Sequence, residues 1–155
     1  MHGVEDVFEK LYNSMRFKRT LSYITSSSFM QPFDIFSSFS LYCNEKGYGN
    51  LPLDKFTEIV FEYFSTLPGI DKAVLRDKLI TDRIAVNSSD VIPKCLQIKD
   101  TRLKTLKKEI AKIDPLKPST MRSVAILYTE NCSIYCDYTQ KDRVSGEYEL
   151  KRYFN

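Results

Sequence analysis

The chain has 155 residues, with 23 Lys and Arg against 20 Asp and Glu, 43% hydrophobic residues, one His and five Gly. That length suits one domain with a sizeable core, and the apolar-to-charged balance excludes chain-wide disorder. The sole His is His2 and there is no G-x-G-x-x-G or Walker-type loop, which excludes histidine triads, histidine metal clusters and glycine-rich phosphate cradles.

Val4, Val7, Phe8, Leu11, Tyr12 and Met15 recur at three- and four-residue steps and predict a short amphipathic helix at the N-terminus. Another short helix is expected over Thr20 to Ser26. Pro32 sits where a helix starts without losing a needed N–H, and Phe33, Phe36, Ser40 and Cys43 mark its apolar line as far as the Gly47-Tyr48-Gly49 turn. Pro52 opens the next helix, with the stripe Leu53, Phe56, Ile59, Val60, Tyr63 and Phe64, and Pro68-Gly69 closes it. On its other face Asp54, Glu58 and Glu62 step by four and read as a solvated acidic row. From Asp71 to Val86, apolar residues spread widely enough around the axis to predict a central, well-buried helix. A last helix is expected from Thr101 to Ile113, with the stripe Leu103, Leu106, Ile110 and Ile113.

The pattern changes after Pro115 and Pro118. Ser123 to Tyr128 is rich in β-branched and aromatic residues, Thr129-Glu130-Asn131 is turn-like, and Cys132, Ile134, Cys136 and Tyr138 alternate along a second run. This is a β-hairpin pattern, with a third strand or a helical turn near Tyr148 to Phe154. The fold class expected is α+β, mainly α. An irregular bundle of five or six helices over residues 1–114 precedes a β-rich part over 119–155, in a single domain.

Cys132 and Cys136 are the weak candidates for a metal site. Along an ideal strand a C-x3-C pair lies on one face about 13 Å apart, too far for two ligands of one zinc at ~2.3 Å each. The third position of a C-x3-C-x2-C iron–sulfur signature is Thr139, so these thiols read first as small hydrophobes. Lys104, Lys107, Lys108 and Lys112 fall off the apolar stripe of the last helix, and Arg16, Lys18 and Arg19 form a second basic group. The former reads as a solvated face, and the latter follows the N-terminal helix. A helical nucleic-acid- or protein-binding module using the basic helix 102–117 is the alternative reading, with nucleic acid disfavoured by a net charge of only +3. No run approaches the ~20 apolar residues that span a bilayer. Glu5, Asp6 and Glu9 stand where a secretory leader is basic and then apolar, so a cytoplasmic location with reduced thiols is expected.

Several stretches together resemble one family. Leu11-Tyr12-Asn13-Ser14-Met15-Arg16-Phe17-Lys18-Arg19-Thr20-Leu21 is similar to the "YYNSGRFKRTL" segment just past the catalytic barrel of certain cobalamin-binding-domain radical S-adenosylmethionine proteins. Gln31-Pro32-Phe33-Asp34-Ile35-Phe36, with Leu41-Tyr42 and Glu45-Lys46-Gly47, resembles their "SPFDLF…L..Y..EKG" segment. Asp82 matches the Asp of their "LL.FDYLL" helix. The resemblance runs from about Leu11 to Tyr138, and its motifs are distinctive by order and spacing. Met15 stands in place of a Gly, Thr81 and Arg83 replace the apolar-aromatic surround of the Asp, and Lys94 and Cys95 follow Pro93 where an aromatic is usual.

The resemblance implies an accessory C-terminal domain without its own catalytic centre, excised from a larger Fe–S oxidoreductase-like enzyme. Its partners would be the upstream catalytic domains of the same polypeptide. A 4Fe–4S cluster, S-adenosylmethionine and cobalamin would belong to those domains and no cofactor to this chain. The junction would use the Asn13 to Leu21 segment, with Asn13, Arg16, Lys18 and Arg19 as its interaction surface, whereas Lys104, Lys107 and Lys108 belong to the alternative reading as a binding module.

Overall fold

The computed structural model describes residues 11, 16–48, 51–86, 92–113 and 124–154. The helix expected over Val4 to Met15, Asn13 within it, and the Pro115 to Pro118 boundary lie outside the described residues, Leu11 excepted. Five helices follow in order: α1 (Lys18–Ser27), α2 (Pro32–Glu45), α3 (Leu53–Phe64), α4 (Lys72–Val86) and, after a 3₁₀ turn at Lys94–Leu96, α5 (Arg102–Ile113). Three antiparallel strands complete the α+β, mainly α, fold: β1 (Val124–Leu127), β2 (Cys132–Lys141) and β3 (Tyr148–Tyr153), in that spatial order.

Local chemistry sets the helix ends. Pro32 is the first residue of α2, and Pro52 directly precedes α3. Asp34 and Asp54 lie in the first turns of those helices, where the helix dipole favours a negative charge. α2 ends in a Schellman motif. Gly47 takes φ +70°, its N–H donates to the Asn44 carbonyl at 3.1 Å, and the Tyr48 N–H donates to the Cys43 carbonyl at 2.9 Å.

α4 is the hub. Ten of its residues are buried, among them Leu75, Leu79, Ile80 and Ile84, and it packs against α1, α3, the 3₁₀ turn, β2 and β3. The wide apolar spread read from its sequence is therefore real burial on nearly every side. α2 keeps most of its expected line, with Ser40 and Cys43 buried and Phe36 packed against the core, but Phe33 is 76% exposed and Ile35 and Phe39 are buried beside the line. The aromatic residues of α2 occupy one broad half of the helix, within which Phe33 lies at the edge. The rings of Phe56 and Phe64, 6.0 and 4.9 Å from that of Phe39, select the part of that half that packs.

Both faces of the sheet are covered. Ala125, Leu127, Ile134 and Cys136 join the helical core, and Val124 and Tyr135 pack with Ile110 of α5 on the opposite side. That is why β1 is apolar without a break: each side has a helix on it. Leu127 pairs with Cys132 across the Tyr128–Asn131 turn, in which Asn131 adopts φ +53°. The last segment is a strand rather than a helical turn. The expected α5 stripe holds at Leu106 and Ile110 but fails at Ile113, which is 68% exposed.

Candidate functional site

The chemistry-bearing residues converge on α4, which buries four ionisable side chains: Arg76, Asp77, Asp82 and Arg83. Each is tied to a different neighbour. Asp82 closes onto the start of α1. Its Oδ2 accepts from the Thr20 N–H at 2.9 Å and the Thr20 hydroxyl at 2.8 Å. Its Oδ1 accepts from the Arg19 N–H at 3.2 Å and the Arg19 Nη1 at 3.1 Å. α1 begins at Lys18, and the preceding Phe17 makes no side-chain cap. The N–H groups of Arg19 and Thr20 are therefore orphan donors of the first turn, and Asp82 caps them from another helix. Arg19 carries the tie onward to Glu147, ahead of β3, at 2.9 Å.

Burial pushes the Asp82 carboxyl above its ordinary value, while the Thr20 and Arg19 donors pull it back. Burial lowers Arg19, but its hydrogen bonds to Glu147 and Asp82 outweigh that and raise it overall. Each Asp82 oxygen already holds two donors, which leaves no lone pair presented to a substrate. This geometry is a clamp, not that of a general base.

Asp77 repeats the device at the other end of the helix. Its Oδ2 accepts from the Thr129 N–H at 2.9 Å and the Thr129 hydroxyl at 2.6 Å, which fixes the β1–β2 turn. Arg76 donates from Nε to the Leu96 carbonyl at 3.0 Å and from Nη1 to the Ile126 carbonyl at 2.6 Å and to Asp77 at 3.0 Å. Arg83 donates to Asp54 of α3, from Nε at 2.7 Å and from Nη2 at 3.3 Å. The acidic row on α3 is thus not uniformly solvated, because its first member holds a buried guanidinium. At the C-terminal end of α4 the Ile84 carbonyl accepts from the Tyr138 hydroxyl at 3.1 Å and the Cys136 thiol at 3.6 Å. A string of surface contacts borders the hub. The Tyr128 hydroxyl donates to Asp100 at 2.7 Å, and Arg102 with that hydroxyl holds the Asp100 carboxyl well below the usual range.

Of the residues singled out in the sequence, Arg16 and Lys18 are exposed, but Arg19 turns inward, so that basic group does not present one surface. Lys104, Lys107, Lys108 and Lys112 are exposed on α5, across the sheet from α4. The two basic groups are not brought together. Cys132 and Cys136 are buried near the start and the middle of β2, paired with Leu127 and Leu150. Burial raises the Cys132 thiol and pushes Cys136 up to about 12, so both are protonated at neutral pH. Among the described residues no group of three or more His, Cys, Asp or Glu is placed to hold a metal ion, and no helix is long and apolar enough to cross a membrane.

Reading the sequence for chemistry passed over Arg76, Asp77, Thr20 and Arg83, and reached Asp82 only through the resemblance. A signal was present. The opposite-charge neighbours Arg76-Asp77 and Asp82-Arg83 interrupt the helix with the widest apolar spread, and charges there need partners on every side.

Among known proteins, the chain matches over residues 1–133 the family described as a protein of unknown function (DUF4080), and it belongs to that family. The match takes in all five described helices and β1 and ends at the second residue of β2. No curated protein and no solved structure matches it.

Proposed function

We propose that this member of the family serves as an accessory domain without a catalytic centre of its own, held against catalytic domains that precede it in a longer polypeptide. The resemblance over Leu11 to Leu21 supports a radical S-adenosylmethionine barrel and a cobalamin-binding domain as those domains. In this reading the iron–sulfur cluster, S-adenosylmethionine and cobalamin reside there, and this chain supplies rigid packing. The Asp82 clamp is the observation that carries the proposal. It fastens Arg19 and Thr20, where the chain enters from the junction segment, to the most buried helix of the fold. An entry point held by two backbone N–H groups, a hydroxyl and a guanidinium transmits orientation, whereas a solvated linker does not. The two buried carboxylates of α4, Asp77 and Asp82, are occupied by contacts of this kind.

The test begins with the reading frame upstream, where a C-x3-C-x2-C segment is expected. The longer polypeptide is then purified without air, with and without residues 16–155. Deletion is expected to lower its melting temperature and its turnover of S-adenosylmethionine. A stop codon directly upstream, or a deletion that leaves both properties unchanged, overturns the proposal.

A further inference from the structure

We propose that the cleft at the N-terminal end of α4 binds a small amphiphilic anion, a flat apolar body carrying a single carboxylate. The cleft encloses about 800 Å³ between the end of α3, the first turns of α4, the 3₁₀ turn and the β1–β2 turn. Phe61, Cys95, Ile98 and Tyr128 give it mainly apolar walls, which suits an aromatic body rather than a sugar or a polyanion.

Arg76 is the more buried of the two basic residues that line the cleft. Its side chain is only 9% exposed, and its Nε and Nη1 are taken by the Leu96 and Ile126 carbonyls and Asp77. Nη2 has no hydrogen-bond partner among the described residues. It is also not sealed away, since Ser40 Oγ is the single fully buried side-chain polar atom among them that lacks a partner. A nearly buried guanidinium that lines both this cleft and the adjoining one beside Ile80 and Leu96 therefore keeps one nitrogen open, and its Cζ lies 5.6 Å from the centre of the Tyr128 ring. The Lys72 ammonium, 5.5 Å from the centre of the Phe61 ring, adds a second cation.

Two carboxylates also line the cleft. Asp77 accepts from Arg76 and twice from Thr129, whereas the exposed Asp71 accepts only the Ala73 N–H, on Oδ1 at 2.8 Å. One open guanidinium nitrogen and one ammonium in an apolar recess offer donors to one carboxylate. The charges of Asp71 and Asp77 offset the two cations and count against a doubly charged phosphate.

The probe is 2-naphthoate, titrated into the 155-residue chain and followed by NMR, with neutral 2-naphthalenemethanol as control. Saturable shifts at Lys72, Ala73, Ile98, Tyr128 and the Arg76 Nε–H are expected, with the carboxylate binding about tenfold tighter than the alcohol. Arg76 anchors two backbone segments, so its replacement risks unfolding the wall. The variants are therefore Lys72→Gln and Ile98→Glu at the rim, each checked for an unchanged melting temperature. Lys72→Gln is expected to weaken 2-naphthoate several-fold and leave the alcohol unaffected, and Ile98→Glu to abolish naphthoate binding. Equal affinity for acid and alcohol, no saturation, shifts located elsewhere, or unaltered binding in both variants overturns the proposal.

Discussion

The Asp82 clamp gives the sharpest prediction about stability. Asp82→Ala removes the acceptor of four hydrogen bonds, and the consequences differ from donor to donor. Thr20 is fully buried, so its N–H and hydroxyl are left without partners, at about 1–3 kcal/mol each. The Arg19 side chain is 30% exposed and keeps Glu147, so it adds little. The expected loss is about 3–4 kcal/mol, within the range for removing one partner of a buried pair and a large share of a typical domain's stability. Asp82→Asn keeps one acceptor oxygen, and the Thr20 hydroxyl can turn to accept from the new amide. One backbone N–H remains orphaned, so about 2 kcal/mol is expected. Urea unfolding of the chain followed by circular dichroism measures both, and a shift below about 1 kcal/mol for Asp82→Ala refutes the clamp.

The pH dependence adds a check of sign. Burial raises the Asp82 carboxyl, so its stabilising contribution is complete below the ordinary aspartate value of 3.8 and declines as pH climbs through the raised value. Stability of the natural chain relative to Asp82→Asn is therefore expected to fall as pH rises from 3.8 toward neutrality. A difference that grows over that interval shows that the donors, not burial, dominate.

Three further outcomes follow from the geometry. Gly69 sits at φ +86°, and a Cβ there would run into the Ser27 carbonyl oxygen, whereas Gly47 at φ +70° has open space around it. Gly69→Ala is expected to cost at least about 2 kcal/mol and Gly47→Ala about 1, so equal shifts in thermal melts refute the close contact. Asp54→Asn leaves the buried Arg83 without its carboxylate and is expected to cost about 1–2 kcal/mol, since Asp54 itself is half exposed, while Glu58→Gln on the same helix stays within about 0.5 kcal/mol. With Cys95 pushed up to about 11 and Cys136 to about 12, iodoacetamide at pH 8 is expected to modify the half-buried Cys95 slowly and Cys136 only on unfolding, as mapped by mass spectrometry; rapid native modification of Cys136 contradicts its burial.

Much of the fold is legible residue by residue, because the signals involved are short-range. Pro32 and Pro52 mark helix starts and Gly47 a helix stop through constraints on the neighbouring peptide units alone. The β-branched run from Val124 and the turn before Cys132 mark the hairpin in the same way. The packing face of α2 was legible in part: Phe36, Ser40 and Cys43 lie on it, but the broad apolar half did not show that Phe33 stays out and that Phe39 meets the rings of α3. The candidate site was least legible. Arg76 answers carbonyls 20 and 50 residues away, and Asp82 answers donors 62 and 63 residues away. No spacing rule within α4 contains those partners.

The sequence by itself determined the fold class, the helix and strand order, the scarcity of histidine and glycine and the central place of α4. These depend on backbone preferences and on apolar periodicity, which are properties of neighbouring residues. Tertiary structure alone decided that Arg19 faces inward and not toward solvent, that Asp82 caps a helix to which it does not belong, and that Arg76 keeps one nitrogen open to a cleft. A buried charge is tolerable only where distant backbone groups converge on it, and that convergence exists only once the chain has folded.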